Sequence, residues 1–323
     1  MEVTEETFDS LTVEWKALAA KAASRSVFST PAWQRAWWES CRSDEELVLL
    51  AFRKGGDVQG IAPLMRSDEI VRFIAYSDVC DHHDFVVSGG AESQVFTALL
   101  DRAERSGWSS MELDGLAEGS STLEALPALA RQRGWQVEQT LDEVSPFAPV
   151  TSTWDEYVQN LGKKDRHELR RKLRRLAAAG EVSCYDVARN GYPAEHLPIF
   201  LDLMKASRPE KAEFLTATRE RFFYRLAEAM AAEGYLRLYF LELDGEKVAA
   251  SLCFDYEGDL YLYNSGYNTQ YASLSVGLLL KAMCLKEAVE QGKRRFHFLR
   301  GAESYKYHIG ARDFQLYKLV MRH

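Results

Sequence analysis

The residues best placed for chemistry lie near the end of the chain, in Leu299–Tyr307 (LRGAESYKY). Tyr305 and Lys306 offer an acid and a cation on the first turn of a predicted helix, and Arg300 and Glu303 add a cation and a base just upstream. The stretch follows a strand whose sequence is typical of a buried one, and an α/β sheet binds its ligands beyond the carboxyl ends of its strands. This position favours a catalytic role over the alternative, a surface helix start with Glu303 near the dipole and Tyr305 packed.

A second polar segment joins a predicted strand to a predicted helix. The strand Leu260–Tyr267 contains Tyr263, Asn264 and Ser265, and Ser275-Val276-Gly277 opens the helix. Acyl transfer from a thioester to an amine needs main-chain donors for the carbonyl, an anion site for the carrier, a base for the ammonium and an acid for the thiolate. A splayed strand followed by a helix N-terminus supplies the donors and the anion site. These residues are therefore the predicted contacts of an acyl donor, although Ser-x-Gly also occurs at helix starts for packing alone.

Positive charge is concentrated in Lys163–Arg175, which has eight basic and two acidic side chains. Its net charge of +6 leaves −14 on the rest of a chain whose total is −8 with neutral histidines. An acidic body argues against duplex nucleic acid as a partner, whereas one basic helix indicates a local anion site. Arg170 and Arg174 are the predicted contacts of an anionic substrate, and a solvated helix face is the alternative.

A third polar cluster is SDVCDHHDF, which contains Asp78, Asp81, His82, His83 and Asp84. These residue types bind metals, but adjacent histidines on an extended chain point to opposite faces and cannot easily share one ion. We therefore predict no metal site here.

Composition limits the class of protein, the number of domains and the location that we expect. The chain has 323 residues, 46% of them hydrophobic and 27% charged, which predicts a globular protein of two domains. Its five cysteines are scattered without a C-x-x-C pair, so reduced thiols are favoured over disulfides or zinc. Apolar runs are too short for a membrane span, and the acidic start MEVTEETFDS is unlike a signal peptide. We expect a cytoplasmic monomer or homodimer.

Hydrophobic periodicity predicts similar element orders in the two halves, an α/β (α+β) fold with domains 1–152 and 153–323. The first half is predicted to contain helices at 4–23 and Ala32–Cys41, a hairpin of Leu47–Phe52 with Val58–Leu64, strands Ile70–Tyr76 and Phe85–Val87, a helix at 92–105, strand Ser110–Leu113, a helix at 121–133 and strands near 135–150. The second half is predicted to contain helices Trp154–Leu161 and Lys163–Ala179, strand Val182–Val187, helices Pro193–Lys205 and Thr218–Ala232, strands Tyr235–Leu243, Lys247–Tyr256 and Leu260–Tyr267, a helix ended by Gly292, and strand Arg294–Leu299. The polar, proline-bearing Ala206–Thr216 is typical of a mobile lid.

Several of these stretches resemble one family. LELDGEKVAASL, YLYNSGYNTQYASLSVGLLL and above all FLRGAESYKYHIGA look like the GNAT-superfamily acetyltransferase domain of the cellulose-biosynthesis CelD type, a relative of the FemAB peptidoglycan aminoacyltransferases. FSTPAWQRAWW and DHHDF resemble the same family's amino-terminal half, and KKDRHELRRKLRRLAAAGEV resembles its linking helix. The resemblance implies two tandem GNAT-like domains, the first degenerate, each a mixed, mostly antiparallel sheet flanked by helices.

The resemblance also assigns roles to individual residues. Tyr305 would protonate the departing thiolate, and Lys306 would lie beside the reacting acyl group. Asp81, with His83 and Asp84, would bind or deprotonate the amine. Acetyl-CoA or another acyl-CoA would be the co-substrate, and the acceptor would be an amine such as an amino sugar or an envelope polysaccharide precursor.

Two other functions stay open. The family's pyrophosphate loop, Arg/Gln-x-x-Gly-x-Gly/Ala, is reduced in Tyr271–Leu278 to its last glycine, so aminoacyl-tRNA is an alternative donor. FemAB proteins carry a long coiled-coil arm for tRNA, and no heptad-bearing hairpin is predicted here, which disfavours tRNA. The other alternative is a catalytically inactive GNAT-like protein that binds a partner or an anionic glycan through Lys163–Arg175.

Overall fold

The computed structural model describes residues 1–22 and 25–323 and forms two compact units. Unit 1 comprises Met1–Val144 and Phe314–His323, and unit 2 comprises Ser145–Asp313. The predicted division at 152/153 differs from this one, chiefly because it left Phe314–His323 in the second domain. That segment belongs to unit 1 because its strand pairs inside the sheet of unit 1.

Unit 1 is built on an eight-stranded sheet. Its elements are β1 (Glu2–Glu5), α1 (Phe8–Ala19), α2 (Pro31–Cys41), β2 (Glu46–Lys54), β3 (Asp57–Ser67), β4 (Ile70–Phe73), β5 (Val86–Val87), α3 (Glu92–Arg105), β6 (Ser110–Ala117), α4 (Ser121–Gln132), β7 (Gln136–Val144) and, at the end of the chain, β14 (Gln315–Arg322). The strand order is β1-β2-β3-β4-β6-β14-β7, and β5 pairs with β3. The β4–β6 pair is parallel and the other pairs are antiparallel.

The predicted hairpin of β2 and β3 is present, and α3 has the predicted bounds. The predicted helix at 4–23 is shorter, and its residue 23 lies outside the described residues. Glu2–Glu5 instead pairs with β2, and α1 starts after Thr7. There the Thr7 hydroxyl accepts from the Ser10 N–H at 3.2 Å, and the Ser10 hydroxyl accepts from the Thr7 N–H at 3.0 Å. This capping box fixes where the helix begins.

Unit 2 is built on a six-stranded sheet of order β8-β13-β12-β11-β10-β9. Its elements are β8 (Phe147–Pro149), α5 (Trp154–Asn160), α6 (Lys163–Ala177), β9 (Val182–Asp186), α7 (Leu197–Ser207), α8 (Pro209–Phe214), α9 (Ala217–Ala232), β10 (Leu236–Leu243), β11 (Glu246–Tyr256), β12 (Asp259–Tyr267), α10 (Val276–Glu290), β13 (Arg295–His297) and α11 (Ser304–His308). The β12–β13 pair is parallel and the others are antiparallel.

The predicted meander and crossover of unit 2 are present as β10, β11, β12, α10 and β13, whereas the predicted lid contains the short helix α8. Helix α7 lies directly on β12, because a Cβ placed at Gly266 would come within 2.2 Å of the Met204 main-chain nitrogen. Only glycine permits this approach, which brings the chain leading into α8 next to β12.

Each unit is thus a mixed, mostly antiparallel sheet flanked by helices, as predicted. Of the helices that the structure describes, none combines the length and the apolar character that crossing a membrane requires.

Candidate active site

The parallel strands β12 and β13 separate part-way along the sheet of unit 2. They pair only from Asp259↔Arg295 to Tyr261↔His297, where β13 ends, while β12 continues to Tyr267. The register against β11 shifts at the same point, since Leu262 pairs with Cys253 and Asn264 with Leu252. Tyr263 is therefore an extra residue, and such bulges bend a strand and often lie beside active sites. In the described part of the chain, residues 262–267 have no strand partner on the β13 side, which leaves main-chain groups for a ligand.

Asn264 and Ser265 line this open edge and are tied to α8. Asn264 Oδ1 accepts from the Ser265 N–H at 2.9 Å and from Lys211 Nζ at 2.8 Å. Lys211 Nζ also donates to the main-chain oxygen of Ser265. Tyr263, by contrast, packs its ring 5.9 Å from Phe223 and 5.1 Å from the ring of Phe254, centroid to centroid.

The predicted anion site follows β12. After the 3-10 turn Thr269–Leu274, Ser275 adopts a left-handed conformation with φ of 59° and α10 begins at Val276. The Val276 side chain is fully buried, so only its main chain could contact a ligand. A Cβ at Gly277 would lie 2.9 Å from the Tyr267 ring, so glycine lets the helix start close to β12. The first turn of α10 has no acidic residue, and its N–H groups lack acceptors within the helix.

Lys306 holds the loop that follows β13. Its Nζ, almost fully buried, donates to the carbonyl oxygens of Leu299 at 2.8 Å, Arg300 at 2.7 Å and Gly301 at 2.8 Å. Glu303 Oε2 lies 2.9 Å from the same nitrogen. Four oxygens around an ammonium with three N–H groups use all its donors and favour the charged form. The carbonyls converge because Leu299 and Gly301 have φ of 63° and 100°.

Glu303 is held as the counter-ion of Lys306. Burial alone would raise the pKa of Glu303, but the hydrogen bond and the charge of Lys306 outweigh it, so the pKa lies below its usual value. A carboxylate with a lowered pKa is a weak base. The catalytic roles predicted for Glu303 and Lys306 stay predictions, and the geometry gives both residues a holding role.

Tyr305 points its ring into the same site. The ring lies edge-on to Phe298, 6.5 Å away, and Lys281 Nζ lies 5.1 Å from its centroid. Burial, and then the charge of Glu303, raise the pKa of Tyr305 well above its usual value. The phenol is therefore protonated at neutral pH, and no described residue is a hydrogen-bond partner of its hydroxyl. The hydroxyl thus holds a proton for a leaving thiolate, while its raised pKa makes it a weaker acid than a free phenol.

Three cations that the sequence analysis missed lie close to Tyr305, to Glu303 or to each other. Burial lowers the pKa of Lys281 to about 8, and its Nζ donates to the Gly277 oxygen at 3.2 Å. Burial, with the charges of Lys281 and Arg208, lowers the pKa of Lys211 to about 7. Arg208 is exposed at the start of α8, and no ion pair of its own appears among the described residues. Lys281 could have been found, because it interrupts the apolar run of α10, whereas Lys211 lies in a polar segment that predicted only a lid.

The cluster predicted around Asp84 lies in unit 1. Asp84 is buried and accepts from the hydroxyls of Ser120 at 2.7 Å and Thr122 at 2.5 Å, which anchors the start of α4. His83 is buried too, with Nδ1 3.1 Å from Asp114 Oδ1 and its ring stacked on Phe73. Asp81 is half-buried in the preceding loop. The roles of Asp81, His83 and Asp84 in amine binding stay predictions.

Among the described residues no group of three or more histidine, cysteine or acidic side chains could hold a metal.

Helix α6 presents its basic residues to solvent. Leu169 and Leu176 are buried, while Arg170 and Arg174 are exposed without an ion pair or hydrogen bond to any described residue. The helix packs against α10 and against Thr269–Leu274, the turn before it. Its cations therefore lie on the same part of unit 2 as the N-terminus of α10. Arg300 is half-buried in the loop held by Lys306, and its role also stays a prediction.

Most of the residues of unit 2 described above match a known family in sequence. Residues 163–307 match the sequence model described as Acetyltransferase (GNAT) domain. Over these residues the chain is similar to a GNAT-type acetyltransferase domain. The matched stretch includes α6, the open edge of β12, Tyr305, Lys211 and Lys281, and it indicates that the protein is an acyltransferase. No curated protein matches the chain in sequence.

Solved structures resemble the chain over nearly its whole length. FemX is 14% identical with a TM-score of 0.70, over 98% of this chain and 97% of FemX. A conserved protein of unknown function from Bacteroides thetaiotaomicron VPI-5482 is 13% identical with a TM-score of 0.62, over 100% of both chains. A tandem GNAT protein from the clavulanic acid biosynthesis pathway is 13% identical with a TM-score of 0.55, over 98% of this chain and 97% of its own. These likenesses show the fold, in which the GNAT domain is preceded by a second GNAT-like half.

Proposed function

We propose that the protein is an N-acyltransferase of the CelD type that transfers an acyl group from acyl-CoA to an amine. The observation that carries this proposal is the open edge of β12 beyond Tyr261, which lies within the stretch that matches the GNAT domain. An extended acyl carrier can hydrogen-bond to such an edge as an added strand would. The thioester carbonyl then lies in the same unit as Tyr305, whose hydroxyl has no hydrogen-bond partner among the described residues.

The carrier's phosphates have two supports in unit 2. The N-terminus of α10 offers N–H groups and the positive end of a 15-residue helix. Arg170 and Arg174 add charge from α6, which packs against the turn before α10. An exposed arginine binds a phosphate best when it has no competing carboxylate, and neither of these two has one among the described residues.

The chemical steps balance without a metal. The amine nitrogen attacks the thioester carbon and forms a C–N bond, and the tetrahedral adduct then breaks its C–S bond. Tyr305 gives its proton to the departing sulfur and regains one from the nitrogen of the adduct. The products are an amide and free coenzyme A. An amino sugar or an envelope polysaccharide precursor is the acceptor that the CelD resemblance implies.

Isothermal titration of the full chain with acetyl-CoA tests the proposal. We expect saturable binding that Arg170→Glu with Arg174→Glu weakens, and that falls as salt is raised because the contact is between charges. Arg221→Glu reverses an exposed charge on α9 and should leave binding unchanged. No binding of acetyl-CoA at millimolar concentration would contradict the proposal, and binding of charged tRNA in its place would favour aminoacyl transfer.

A further inference from the structure

Lys211 reaches from α8 to the open edge of β12. Its Nζ donates to Asn264 Oδ1 at 2.8 Å and to the main-chain oxygen of Ser265. Both acceptors belong to the part of β12 that has no strand partner on the β13 side among the described residues. The amino group therefore lies at the edge along which the proposed function places the thioester.

The number of acceptors around Nζ decides which protonation states Lys211 can adopt. A neutral amine has two N–H groups and one lone pair, whereas an ammonium has three N–H groups. The two described acceptors satisfy both donors of the neutral form and leave its lone pair free. They also leave one N–H of the ammonium form without a described protein partner. Lys211 can therefore gain or lose a proton without losing a hydrogen bond that the fold provides.

The surrounding charges favour the neutral form. Burial opposes a positive charge on Lys211 most strongly, and Lys281 on α10 and Arg208 at the start of α8 oppose it too. Glu303, in the loop before α11, favours the charge, and that carboxylate is already paired with Lys306. The result is a pKa of about 7 for Lys211, against about 8 for Lys281. A lysine of this kind can act as a base at neutral pH.

We propose that Lys211 is the general base of the transfer, an inference that rests on the proposed function. Its neutral Nζ takes one proton from the acceptor's ammonium group, and the amine so formed attacks the thioester carbon. The second proton that the nitrogen must lose goes to the thiolate through Tyr305. Lys211, now an ammonium, returns its proton to solvent after the products leave. No oxidant, reductant or metal is consumed.

If Lys211 had a purely structural role, it would only fasten α8 to β12. Any residue that donates hydrogen bonds to Asn264 and Ser265 could then replace it. Lys211→Arg preserves the positive charge and the donors but cannot give up a proton at neutral pH. Lys211→Met removes both charge and donors at similar length. The comparison of these two variants separates fastening from proton transfer.

Lysine side-chain NMR of the full chain tests the proton state without any substrate. We expect the Lys211 resonance, assigned by its loss in Lys211→Arg, to titrate with a pKa of about 7. Lys205 is the matched control, since its ion pair with Glu220 holds its pKa above the ordinary value. Titration of Lys211 together with the surface lysines would overturn the inference and would leave the proposed function intact.

Kinetics with acetyl-CoA and glucosamine as the amine probe supply the second test. We expect kcat/KM of the wild type to rise with pH through the same midpoint. Both variants should lose about 10²-fold or more and lose that dependence on pH. Acetyl-CoA binding, measured by titration, and thermal unfolding show whether each variant is folded. A Lys211→Arg protein with nearly full turnover would overturn the inference, whereas a wild type that binds no acetyl-CoA would overturn the proposed function.

Discussion

Replacing Lys306 with methionine tests whether this buried ammonium holds the loop after β13 or takes part in the transfer. Methionine preserves the length of the side chain and removes its charge and its donors. In the wild type, three carbonyl oxygens lie 2.7–2.8 Å from Nζ, and all belong to Leu299–Gly301. Without the ammonium they face each other in a buried site with no donor. The variant should therefore be destabilised, and the loop should be the first part to open.

The expected loss in the free energy of unfolding follows from the contacts that Lys306 makes. A hydrogen bond to a charged group contributes about 1.5–3 kcal/mol, but burying the ammonium offsets part of what three such bonds would give. Removing one partner of a buried ionic arrangement usually costs about 3–5 kcal/mol, and we expect that range for Lys306→Met. In a domain the size of unit 2, this loss corresponds to a fall in Tm of roughly 6–20 °C.

Chemical denaturation measures the free energy of unfolding, and hydrogen exchange over residues 299–306 measures the opening of the loop. Lys286→Met is the matched control, because Lys286 is 46% exposed on α10 and has only a surface contact with Glu290 at 3.3 Å. It should change the free energy of unfolding by no more than about 0.5 kcal/mol. If Lys306→Met unfolds like the wild type, keeps the loop protected and loses only turnover, then Lys306 acts in the chemistry and the argument from its carbonyl contacts is refuted.

Two further substitutions separate chemistry from stability. Tyr305→Phe should lower kcat by about 10²-fold or more if the hydroxyl donates the proton. Its Tm should stay unchanged, because no described residue hydrogen-bonds to the hydroxyl. Steady-state assays and thermal unfolding measure the two quantities, and unchanged turnover would remove Tyr305 from the mechanism. Asp84→Asn should cost about 1–3 kcal/mol of unfolding free energy, since one of the hydroxyls of Ser120 and Thr122 loses its acceptor. Denaturation curves measure this loss, and unchanged stability with weaker amine binding would instead place Asp84 in the acceptor site.

The sequence predicts those elements whose pattern is local. The hairpin of β2 and β3, the helix α3 and the meander of unit 2 follow from alternation, periodicity and turn residues. Strand β14 could not be predicted in the same way. Nothing in Gln315–Arg322 shows that it pairs between β6 and β7, far earlier in the chain. Strand partners depend on tertiary packing, which a local pattern does not contain.

The position of the site is predictable, and the roles of its side chains are much less so. The stretch around Tyr305 is marked by its place after a strand. The contacts of Lys306 depend on the left-handed conformation of Leu299. Leucine rarely adopts this conformation, so the sequence does not predict it. The segment that contains Lys211 predicted a lid because it is polar, whereas Gly266 lets α7 lie on β12 and so brings α8 to the site.

Lys211 and Lys306 thus differ in whether they can lose a proton, because different numbers of hydrogen-bond acceptors surround their Nζ atoms. Lys306 has four oxygens around three donors, so losing a proton would leave a carbonyl or a carboxylate without its partner. Lys211 has two described acceptors, and its neutral form satisfies both. A base must exist in both protonation states during turnover, which Lys211 can do and Lys306 cannot without breaking the loop. Lys306, which the sequence motif makes conspicuous, therefore supports the loop of the site. Lys211 on α8 is the better candidate for the group that accepts the proton.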